Sequence, residues 1–177
     1  MLVLWLLAGA LTAASAPPVT MIVVLGGSDP LVRLASKELR RYVYATGGGF
    51  PTIAHQASWR PTDAVPPGAS STALVLATTD ALAGLEVADD DTTGGLVAKL
   101  RAAKSTDAHA SLSLGAHHVL CGASPLAVLY ACYEFASTEL GVYFAIDGDR
   151  IPRRGGSVAG GSFGPRQSPF ATRGAVP

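Results

Sequence analysis

Charge is scarce in this chain. Of its 177 residues 13 are Lys or Arg and 13 are Asp or Glu, so the formal net charge is zero. A nucleic-acid binder needs a basic surface to neutralise phosphates, and that class of partner is excluded. Cysteine is scarcer, with Cys121 and Cys132 alone. An exported chain would let them pair. One falls on an expected strand and the other in the middle of an expected helix, which favours two buried thiols. Beyond residue 16 no apolar run is long enough to span a membrane, so no span is expected in the mature chain. The phosphate-binding GxGxxG and the P-loop lysine are missing.

The longest apolar run comes first. Leu2 to Leu11 is almost wholly apolar, Ala14-Ser15-Ala16 has the small residues a signal peptidase reads, and Pro17-Pro18 stops a helix. No Lys or Arg precedes the run. It is shorter than the ~20 residues of a spanning helix. Residues 1–16 therefore read as a signal peptide cleaved after Ala16, and the product is expected to be secreted or periplasmic. The rival readings are a membrane anchor and a buried first element.

About half of the residues are apolar, enough for one domain with a sizeable core. Met21–Leu25 is a short β-branched run, and Ser28 or Asp29 with Pro30 can start a helix after it. Leu31, Ala35, Leu39 and Tyr42 carry that helix to Gly47-Gly48-Gly49. Residues 50–54 and 73–77 read as strands, separated by a Pro-rich loop over 57–72. After the acidic turn Asp89-Asp90-Asp91, Leu96, Val97 and Leu100 mark a short helix. Residues 110–114 and 117–121 read as a hairpin. Ser124-Pro125 opens the strongest helix, which should end at Gly141. Val142–Ile146 reads as a last strand, and residues 153–177 as a linker. The order β-α-β-β-α-β-β-α-β predicts an α+β fold. Its mixed sheet should be covered by helices in a two- or three-layer sandwich.

Candidate chemistry is thin. Gly26-Gly27-Ser28-Asp29 is explained by a turn and a helix cap. His117 and His118 are strand neighbours that point to opposite faces, while His55 and His109 are isolated, so no metal site is read. Asp89-Asp90-Asp91 lacks the distal carboxylate of a calcium loop. Glycoside hydrolysis needs two facing carboxylates. Glu134 and Glu139 lie on different faces of one helix, and Glu38 sits among basic residues. No nucleophile elbow is expected. Catalytic, cofactor-binding and metal residues are therefore all read as none, with no cofactor. Tyr130, Tyr133, Phe135 and Phe144 read as core, and Trp59 as the exposed aromatic.

The segment Ser124–Pro152 carries a pattern. Leu129-Tyr130-Ala131, Tyr133, Phe135, Leu140-Gly141, Phe144, Gly148 and Pro152 fall in register with the end of the N-terminal domain of α-glucuronidases and related exported glycoside hydrolases. Upstream, Ala35–Leu39 with Tyr42, and Gly47–Pro51, resemble that domain's first helix and turn. Downstream, Ser168–Gly174 resembles the entry to a (β/α)8 barrel. Val128 stands where that family often has Gly, and Tyr143-Phe144 where it has Arg-Trp. The resemblance, to a β-hexosaminidase domain 2-like unit, implies that residues 17–152 are a non-catalytic accessory domain. Its partners would be a catalytic barrel, absent after residue 177, and a polysaccharide. The family's catalytic carboxylates lie on that barrel, so none carries over. The alternative is a free-standing secreted carbohydrate-binding module, with Trp59 as its platform.

Overall fold

The computed structural model describes residues 18–26, 29–47, 49–59, 72–83, 91–114, 117–153 and 162–166. The expected signal peptide, the Gly115-Ala116 turn, Gly27, Ser28, Asp89, Asp90 and most of the Pro-rich loop and linker lie outside them.

Strand β1 (Val19–Leu25) leads into helix α1 (Pro30–Ala45), followed by β2 (Thr52–Gln56) and β3 (Thr72–Thr78). Helices α2 (Thr79–Ala83) and α3 (Asp91–Ala102) follow, then β4 (His109–Leu114), β5 (His117–Gly122), α4 (Pro125–Thr138) and β6 (Phe163–Arg166). The six strands form one sheet in the order β2-β1-β3-β5-β4-β6. Strands β2, β1, β3 and β5 are parallel, and β4 runs antiparallel to β5 and β6. The α+β class with a mixed sheet is therefore the observed one.

Alternation along the strands divides the core in two. Ile22, Val24, Leu74, Leu76 and Leu120 face α1 and α4. Val23, Leu25, Val75, Ala77, Val119 and Cys121 face α2 and α3. The arrangement is three-layered. Central strands covered on both faces must be apolar at every position, which is why β1, β3 and β5 read as continuous runs.

The two long helices start as their caps dictate. Asp29 Oδ1 accepts from the Leu31 amide at 2.8 Å, and Pro30 occupies the first turn of α1. Ser124 Oγ accepts from the Ala127 amide at 3.1 Å and donates to the Thr106 carbonyl at 2.6 Å, which ties α4 to the loop before β4. Gly122 ends β5 where α4 begins. A Cβ there would stand 2.4 Å from the Val128 nitrogen, so only glycine allows this approach. Beyond α4, Gly141 takes φ +70°, and the Val142 amide reaches back to the Ala136 carbonyl at 2.9 Å.

Two expectations fail, and one short helix goes unread. Val142–Ile146 is not a strand of the sheet. Tyr143 and Arg150 exchange two hydrogen bonds of 3.0 and 2.9 Å, and the chain turns on itself through Gly148 at φ +125°. This segment follows a helix of the outer layer, and its partner is its own continuation. The last strand is instead β6, inside the stretch read as linker. Its Phe163-Gly164-Pro165-Arg166 is short and looks like a turn, but an edge strand tolerates proline. Finally, α2 is unmarked in the sequence, because five residues are too few to show a helical period.

Candidate functional site

Helix α4 turns a second strip toward solvent beside its core face. Tyr130, Tyr133, Glu134, Ser137 and Thr138 follow the 3- and 4-residue spacing that places side chains on one side. With His109 at the start of β4 and Phe144 after α4 they line a groove of about 370 Å³. Among the described residues Glu134 is the carboxylate that lines it.

Glu134 joins three elements. Its Oε1 lies 2.6 Å from Arg166 Nε on β6, and its Oε2 lies 3.2 Å from His109 Nε2 on β4. The other ring nitrogen, Nδ1, is 2.8 Å from the Asp107 carbonyl. A carbonyl only accepts, and so does an ionised carboxylate. Both contacts are therefore hydrogen bonds only when the ring carries both protons. His109 is nearly buried, and its ring stands 6.1 Å from that of Tyr130.

The far wall is rigid. Phe144 packs edge-on against Tyr133 at 5.4 Å and Tyr42 at 5.6 Å between ring centroids. The hairpin that carries Phe144 is pinned to α1 by Asp149, which accepts from the Tyr42 hydroxyl at 2.7 Å and from Arg41 at 3.0 Å. Arg41 also meets Glu38 at 3.0 Å. Burial, together with the hydrogen bond to Asp149, holds the Tyr42 phenol far above its ordinary range. Burial also raises Tyr133. Both phenols stay protonated at neutral pH and act as neutral hydroxyls.

The residues weighed from the sequence are scattered. His118 faces α4, edge-on to Phe135 and 3.2 Å from Ser113 Oγ, while His117 faces the other layer against Trp59. Their opposite directions are as expected. His55 is exposed on β2, and Asp91 opens α3. Cys121 and Cys132 are unbonded and lie in the two different cores, on opposite faces of the sheet. Phe135 is core, as expected. Tyr130 and Tyr133 are only partly buried, and Phe144 is 39% exposed, so these three line a groove rather than fill an interior.

Trp59 is corrected outright. It is 2% exposed and belongs to the core over α3. Among the described residues its indole N–H has no partner. The letters Gly160-Gly161-Ser162-Phe163-Gly164 do spell GxSxG, so the nucleophile-elbow motif is present as a string. Ser162 nevertheless enters an edge strand, not a strand-to-helix turn, and its Oγ accepts from the Ser113 amide at 2.9 Å.

A second hollow, of about 390 Å³, lies between α3, β4 and β6. Among the described residues its walls are mainly apolar, and Lys99 is the charged group that lines it. The α4 groove has the convergent charged and aromatic groups that mark a ligand site. Sequence reasoning missed it because His109, Glu134 and Phe144 come from three different elements. The readable signal was the strip Tyr130, Tyr133, Glu134, Ser137.

No family model and no curated protein matches the chain. Among solved structures it is similar to a GH138 enzyme targeting pectin rhamnogalacturonan II, with a TM-score of 0.38 and 12% identity, covering 67% of this chain and 13% of that one. It is also similar to CpGH84D, with a TM-score of 0.39 and 16% identity, covering 66% of this chain and 17% of that one. The chain thus spans a small part of the length of either.

Proposed function

We propose that the chain is the non-catalytic N-terminal accessory domain of an exported, carbohydrate-active glycoside hydrolase of the α-glucuronidase type. The observation that carries this is the hairpin of residues 142–150. It belongs to the segment whose sequence resembles that family's domain, and it presents Tyr143 and Ile146 to solvent. Tyr143 is 63% exposed and Ile146 fully so, yet Asp149 and the Tyr143–Arg150 pairing hold the hairpin in place. A fixed, exposed apolar ridge suits a surface that another domain covers. The occupant we assign is the catalytic barrel of the same hydrolase.

The accessory role supplies packing, not chemistry. Glu134 is held by two basic partners, and hydrolysis requires a second carboxylate across the sugar. The carbohydrate-binding module built on Trp59 loses its platform, because that ring is inside.

The deciding experiment is to read the encoding DNA beyond the codon for Pro177. A continuous or shifted frame encoding a barrel with a facing carboxylate pair supports the proposal; a locus without one sinks it. Export is tested on secreted protein by mass spectrometry. An N-terminus at Pro17 is expected, and an intact Met1 counts against it.

A further inference from the structure

We propose that the groove beside α4 is a binding site for a neutral sugar ring. This goes beyond the accessory role and does not rest on it.

The first argument is size and lining. A groove of about 370 Å³ falls within the usual range of small-ligand sites, and its walls are aromatic with a few convergent polar groups. Tyr130, Tyr133 and Phe144 offer ring surface with a negative face, which the C–H face of a pyranose complements.

The second argument is charge. Glu134 stands between Arg166 and His109, so donors and acceptors lie side by side. The carboxylate is already engaged by Arg166 at 2.6 Å, so a cationic ligand gains little there, and an anionic one would meet that carboxylate. Sugar hydroxyls both donate and accept, so they can donate to the spare lone pairs of Glu134 and still find partners in neutral hydroxyls. The protonated phenol of Tyr133 and the exposed hydroxyl of Ser137 add neutral partners.

The third argument is preorganisation. Phe144 is wedged between Tyr42 and Tyr133, and Glu134 is oriented from two sides. Little freedom is left to lose on binding.

The test uses the whole chain, titrated with methyl β-D-glucopyranoside, methyl β-D-xylopyranoside and cellobiose. Sodium glucuronate and choline chloride serve as charged controls. NMR signals of the Tyr130, Tyr133 and Phe144 rings report binding. Saturable shifts with at least one neutral probe, and weaker ones with both controls, are expected. Ser137→Trp places a large side chain on the groove wall one turn from Glu134, and should weaken binding about tenfold or more. Glu134→Gln should weaken it by a similar factor. Should that variant fail to fold, Ser137→Trp decides, with core signals of Phe135 and Leu120 as the check on folding. No saturable shift up to about 100 mM of any neutral probe overturns the proposal. So does unchanged affinity in a folded Ser137→Trp protein, or tighter binding of glucuronate or choline. These readouts concern the groove alone, so they fail or succeed independently of what the DNA encodes downstream.

Discussion

The two faces of the sheet are built differently. On one side, α1 and α4 are both capped by a side chain, both start with proline, and pack against each other. Tyr42, Tyr133 and Phe144 knit them to the hairpin, and Asp149, Glu38 and Glu134 add ion pairs. On the other side, α3 contains Gly94 and Gly95, and the core beneath it includes several alanines and an indole N–H without a partner among the described residues. The first face has a rigid rim that can hold a ligand or a partner. The second closes the core over Val75, Val119 and Trp59.

The sharpest way to break this contrast is to remove matched core residues. Phe135→Ala, at the centre of the α4 face, should cost about 4 kcal/mol. Leu96→Ala, at the edge of the α3 layer, should cost about 2 kcal/mol. Urea denaturation of the two variants measures both. Equal losses would show that the faces are equally well built.

Gly122→Ala comes next. Its methyl group would strike the backbone between Ala127 and Val128, which cannot rotate away. A loss of about 3 kcal/mol is expected in the same assay. A neutral result would mean that α4 can slide on β5, contrary to the rigidity argued for the groove.

The opposite sign is expected of Gly94→Ala and Gly95→Ala. Both glycines are helical, and a Cβ at either meets nothing within 4 Å. Each substitution should stabilise by about 1 kcal/mol, read as a rise in Tm. Failure to gain would mean that α3 is not helical at these positions in solution.

What the sequence disclosed follows the same division. Caps at Asp29 and Ser124 and strands covered on both faces leave strong local patterns, and those elements were legible. So was the opposite orientation of His117 and His118, which follows from strand geometry. The failures have a common cause, in that their structure is set by distant partners. Strand β6 exists because β4 offers it an edge, and the Tyr143–Arg150 hairpin exists because Asp149 finds Tyr42. Trp59 stands at the start of a proline-rich loop that looks exposed, yet its ring packs edge-on to His117 in the core. The groove closes only with His109 and Phe144 from other elements, so a local window shows no more than its α4 strip.

The smallest effect is expected from His118, and it bears on how dry the α4 core is. Burial first, and then the neighbouring His117, lower its affinity for a proton below the ordinary value of 6.5. Its ring meets Phe135 and Ser113, with His117 beside it in sequence. Below pH 6.5 an unfolded His118 takes up a proton that the folded one resists. The unfolded state then binds more protons, so stability should fall as the pH drops through the region between 6.5 and the lowered native value. Above 6.5 both states are neutral and the contribution is flat. Other groups titrate in the same window, so the test is a difference between two proteins. Urea midpoints of the wild type and of His118→Asn are compared at about pH 7.5 and about pH 5.5. The variant should lose less stability on acidification than the wild type. Identical slopes would mean that water reaches His118, and that the better-built face is less tightly closed than its packing indicates.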